Sequence, residues 1–73
     1  MLDLSNPRVL KTIDKIGAGI KADSEDRKIL QKLAKCPNLT FEERTACSQI
    51  ASGKENHRAI EVLALLRKRL LNR

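Results

Sequence analysis

The sequence predicts an all-α fold: one small domain over residues 1–73, built from about four short helices in an orthogonal or bundle-like arrangement, with residues 1–5 flexible. Three observations carry that expectation. Four stretches place apolar residues at the 3.6-residue period that gathers them on one helix face. Each stretch is preceded by residues able to cap free backbone N–H groups. No stretch shows the two-residue alternation of a strand, and none repeats another.

Ser5-Asn6-Pro7 announces the first helix, because Asn6 or Ser5 can cap and proline at the first helical position loses no hydrogen bond. Val9, Ile13, Ile16 and Ile20 follow at i, i+4, i+7 and i+11, with Leu10 widening the stripe and Arg8, Lys11 and Lys15 on the other side. Gly17 and Gly19 weaken the last turn by about 1 kcal/mol each relative to alanine, or admit a closely packed backbone. Leu2 and Leu4 precede the cap and are free to dock on a partner.

Asp23 and Ser24 cap the second helix, and Glu25 and Asp26 put negative charge where its dipole favours it. Ile29, Leu30 and Leu33 face inward, with Ala34 and Cys36 at the edge. Lys28, Lys32 and Lys35 stand at i, i+4 and i+7 as a cationic ridge. Pro37 ends the helix by disfavouring helical geometry at Cys36.

Asn38-Leu39 turns the chain, and Thr40-Phe41-Glu42-Glu43 has the form of a capping box. Phe41, Cys47, Ile50 and Ala51 supply the apolar side of a third helix that ends near Ser52, with Gly53 as its left-handed cap. After Gly53-Lys54-Glu55, Asn56 caps the longest helix, whose Ala59, Val62, Leu63, Leu66 and Leu70 share one face. Ile60, Leu65 and Leu71 lie off that face, more apolar area than one seam of a small domain needs. Arg67, Lys68 and Arg69 form a basic end.

Composition limits what this fold can do. A chain of 73 residues buries only about 60% of its unfolded surface, so its stability is a few kcal/mol. Phe41 is the only aromatic, which removes base-stacking platforms. A net charge of +6 favours anionic partners. No apolar run reaches the roughly 20 residues of a membrane span, and the first ten residues lack a signal peptide's pattern. A cytoplasmic protein is expected, with Cys36 and Cys47 reduced and buried.

No catalytic constellation accompanies the lone His57, and Cys36, Cys47 and His57 lack a fourth ligand and regular spacing, so neither an enzyme nor a metal or cofactor site is expected. Two binding readings lead, and the leucine-rich basic end of the last helix also admits a homodimer or an amphipathic helix lying on an anionic membrane. In the first, Thr40 to Val62 is a helix-turn-helix presenting Lys54, Asn56, His57 and Arg58 to DNA. Gln49 at the tight crossing position and the charge of Glu55 count against it. In the second, the chain is a protein-binding regulator docking through Lys28, Lys32 and Lys35, through Arg67, Lys68 and Arg69, and through Arg8, Lys11 and Lys15.

In length, basic charge, helical character and lack of enzyme or metal motifs, the whole chain resembles the small phage-encoded transcription regulators that bind bacterial RNA polymerase, those of Xanthomonas-infecting phages in particular. The resemblance includes no motif by which a functional residue transfers. It implies direct binding to subunits of bacterial RNA polymerase in the host cytoplasm, inhibition of initiation by disturbing sigma-factor contacts, and antitermination during elongation; the chain itself is expected to be a monomer, with DNA an indirect partner.

Overall fold

The computed structural model describes residues 6–54 and 56–71; the expected flexibility of residues 1–5 and the contribution of Glu55 lie outside them. The fold is all-α, with α1 Pro7–Gly17, α2 Ser24–Leu33, α3 Phe41–Ala51 and α4 His57–Leu71. The domain measures 28 × 22 × 21 Å. Around its core, α1 packs on α4, α4 on α3 and α3 on α2, while α1 and α2 scarcely touch.

Local chemistry sets the four starts. The Asn6 side chain accepts from the Arg8 N–H at 2.9 Å, and Asn56 Oδ1 accepts from the Ala59 N–H at 2.7 Å. Thr40 Oγ1 accepts from the Glu43 N–H at 3.2 Å while Glu43 Oε1 accepts from the Thr40 N–H at 2.9 Å, completing the expected capping box. A second box joins Asp23 and Asp26 at the head of α2. Each satisfies donors that a helix start leaves without a partner.

The ends of α1 and α3 share one device. Gly19 (φ +86°) and Gly53 (φ +90°) take the left-handed conformation. The N–H after each reaches back into its helix, Ile20 to Lys15 O at 3.0 Å and Lys54 to Gln49 O at 2.9 Å. Gly53 does what its position predicts. Gly19 does not weaken α1, because it lies past the helix and closes it. Gly17 meets the expected close approach: a Cβ there would lie 3.0 Å from Ala64 Cα of α4.

The core joins Val9, Ile13 and Ile16 of α1 to Leu30 and Leu33 of α2, Ala46, Cys47 and Ile50 of α3, and Ala59, Val62, Leu63 and Leu66 of α4. Ile20 departs from its expected place and is exposed. α1 stops at Gly17, so the helical period no longer governs Ile20. Phe41 is 78% exposed, because the inward positions of α3 are Glu43, Ala46, Cys47 and Ile50 and the first residue of the helix points away from them. Helix α2 ends at Leu33, before Pro37 can act on it. Leu39 and Ala22, in connecting segments, complete the core.

Both cysteines are buried free thiols. Burial, with the Glu43 carboxylate and Cys36 nearby, pushes the Cys47 thiol up to about 12. The reactive species is the thiolate. Cys47 is therefore expected to resist iodoacetamide at neutral pH in the folded chain and to react promptly in denaturant; rapid labelling without denaturant would contradict its packing.

Candidate functional site

The distribution of positive charge follows from which cations the chain's own carboxylates capture. Asp14 of α1 pairs with Arg67 of α4 at 2.6 Å. Glu43 of α3 pairs with Arg69 at 2.8 Å, and Glu42 pairs with Arg58. Asp23 and Asp26 hold Lys15 at 3.3 and 2.8 Å. Glu25 and Glu61 make no ion pair among the described residues.

Two of the three cations expected at the basic end of α4 are ion-paired within the domain. Successive helix residues turn by about 100°, so Arg67 leans toward α1 and Arg69 toward α3, while Lys68 is exposed and has no partner among the described residues. On α1, Arg8, Lys11 and Lys15 share the flank that faces α2, but Lys15 is held by the two aspartates. This leaves Arg8 and Lys11 exposed on that flank and unpaired among the described residues.

Helix α2 is different. Arg27, Lys28 and Lys32, with Lys35 just past its end, are all exposed, and none is paired among the described residues. No carboxylate lies between residues 27 and 35. Of the two acids before them, Asp26 is turned back toward Asp23 and α1 by the capping box, and exposed Glu25 lines the same cleft as Lys28 without pairing with it. Leu30 and Leu33 point into the core, so Lys28 and Lys32 face away from it. Lys28 lines the cleft toward α1, whereas Lys35, past the helix end, stands toward α3, so the expected i, i+4, i+7 ridge does not continue along one helix face.

The set suited to a helix-turn-helix is partly engaged within the domain. Asn56 caps α4 and donates through Nδ2 to Gln49 Oε1 at 3.0 Å, and Arg58 is held by Glu42. Lys54 and His57 stay exposed. The outward face of α4 continues with Glu61 and exposed Leu65, a poor lining for a DNA groove. This arrangement gives the DNA reading no added support.

The spacing of residues did not reveal the junction of α1 and α2. Asp26 is 6% exposed, and its carboxylate accepts from Thr12 Oγ1 at 3.0 Å, Lys15 Nζ at 2.8 Å and the Asp23 N–H at 3.1 Å. Burial disfavours its charged form, but the Lys15 ammonium, the Asp23 N–H and the Thr12 hydroxyl outweigh that, and Asp26 titrates below its usual range. Lys15 rises correspondingly, chiefly through its hydrogen bond to Asp26. Above this junction lies an open cleft of about 370 Å³ whose walls include Arg8 and Lys11 of α1 and Lys28 and Ile29 of α2.

The arrangement can bind an anionic surface through cations that the fold leaves without partners. Compared with known proteins, the chain matches no family model, no curated protein and no solved structure.

Proposed function

We propose that this chain is a non-enzymatic transcription regulator that docks on bacterial RNA polymerase, inhibits initiation by disturbing sigma-factor contacts, and acts as an antiterminator during elongation. One observation supports the docking step: the fold pairs Lys15 of α1 and Arg67 and Arg69 of α4 internally while leaving Arg27, Lys28 and Lys32 of α2, and Lys35 just past its end, without an ion pair among the described residues. The choice of polymerase rests on the chain's likeness in length and character to the phage regulators. The mechanism is steric and electrostatic. A small helical body is steered to an acidic patch by its cationic helix and then occupies the surface that another factor needs.

Reversal of Lys28, Lys32 and Lys35 to glutamate is expected to weaken binding to purified, nuclease-treated RNA polymerase by about tenfold or more, equivalent to about 1.4 kcal/mol. The fold should survive, since these side chains are exposed and make no ion pair. Lys68→Glu, on the outer face of α4, serves as the control and should change little. Equal affinity for the triple variant and the unaltered chain would remove α2 as the docking face. If nuclease treatment abolishes capture of polymerase from bacterial lysate, a nucleic-acid bridge replaces direct contact.

A further inference from the structure

We infer that the cleft between α1 and α2 seats a short acidic, partly apolar peptide segment. The inference rests on the protein-docking reading above and names the chemistry of what is docked. It begins with the two helices themselves, which scarcely touch except through the Asp26 junction and so leave an open cleft of about 370 Å³. That is within the size range of pockets that accept a small ligand or a few side chains.

The floor of the cleft is hydrogen-bonded and carries a net charge of −1, one ammonium (Lys15) against two carboxylates (Asp23 and Asp26). Asp26 receives Thr12, Lys15 and Asp23, and Lys15 is held between two carboxylates. In the walls, Arg8 and Lys11 on one side and Lys28 on the other make no ion pair among the described residues; their three positive charges outweigh unpaired Glu25 and the net negative floor, leaving the lining at +1. Half-buried Ile29 adds an apolar surface between them. A matching occupant therefore has spaced carboxylates for the walls and an aliphatic side chain for Ile29.

A phosphodiester chain is a poorer match. The cleft has no aromatic side chain for a base to stack on, and Glu25 would repel a continuous row of phosphates. Isolated peptide carboxylates can straddle Glu25.

The test titrates a fluorescein-labelled synthetic peptide of alternating glutamate and leucine into the full chain at low salt. Lys11→Glu and Lys28→Glu alter opposite walls, and each is expected to weaken binding about tenfold. Lys68→Glu should leave binding unchanged. In the unaltered chain, peptide-induced NMR shifts should centre on Lys11, Lys28 and the Ile29 methyls. Equal losses from Lys68→Glu, shifts centred on α4, or stronger binding of duplex DNA across the same walls would each overturn the inference. Polymerase binding is read separately. A chain that seats the peptide in the cleft yet ignores polymerase supports the cleft and removes only the polymerase assignment.

Discussion

Asp26→Ala is expected to destabilise the domain by about 3 kcal/mol, more than half of the roughly 5 kcal/mol available to a fold of this size. Three losses combine. The α2 cap loses one side of its reciprocal pair, worth about 1 kcal/mol. The buried Thr12 hydroxyl loses its acceptor, costing about 1 kcal/mol or more. Lys15 loses its shorter ion pair, and with it goes the main polar tie between α1 and α2. Urea denaturation should show the fall in midpoint, and an unchanged midpoint would mean the junction contributes nothing.

The same group sets an acid limit. Because Asp26 is depressed below its ordinary 3.8 when folded, the unfolded chain binds more protons in that range and stability rises with pH there. Its contribution is complete above pH 3.8 and is lost as pH falls through the folded value. Asp26→Asn, which keeps the shape without the charge, should flatten the acid limb of a stability profile. Lys15 acts in the opposite direction: raised above 10.5, its contribution is present below that value and disappears as pH climbs past the folded one.

The second large effect is at Gly17. Glycine to alanine within a helix ordinarily gains up to about 1 kcal/mol. Here the new Cβ would meet Ala64 at 3.0 Å from Cα and 3.3 Å from both Cβ and N. Backbone cannot swing aside as a flexible side chain can, so α1 must shift on α4. Gly17→Ala is expected to lower stability by about 1 kcal/mol despite its propensity, and Gly17→Leu by about 3 kcal/mol through overpacking. Thermal unfolding of the pair decides the point: a higher midpoint for Gly17→Ala would show that the helices have room to separate.

These two sites mark how far the sequence could be read. Helix starts were legible because a capping side chain bonds backbone a few residues away, as Thr40 and Glu43 do. The buried stripes of α1 and α4 were legible while their helical register lasted, and Ile20 failed where α1 had ended. The exposed lysines Lys28 and Lys32 of α2 were visible because their spacing lies within one short segment, but the expected continuation to Lys35 failed where the helix ends at Leu33. The fate of Arg67 and Arg69 was not visible, since their carboxylates come from α1 and α3 and only packing brings them together. Asp26 was recognised as a favourable charge near a helix start, but its burial and its bonds to Thr12 and Lys15 depend on how α2 sits beside α1.

Hydrogen–deuterium exchange of the chain alone and bound to purified RNA polymerase tests the central claim most directly. The account predicts added protection concentrated on α2 and on the α1 flank that carries Arg8 and Lys11, with the outer face of α4 unchanged. Protection confined to α4, or no complex with polymerase, would contradict it.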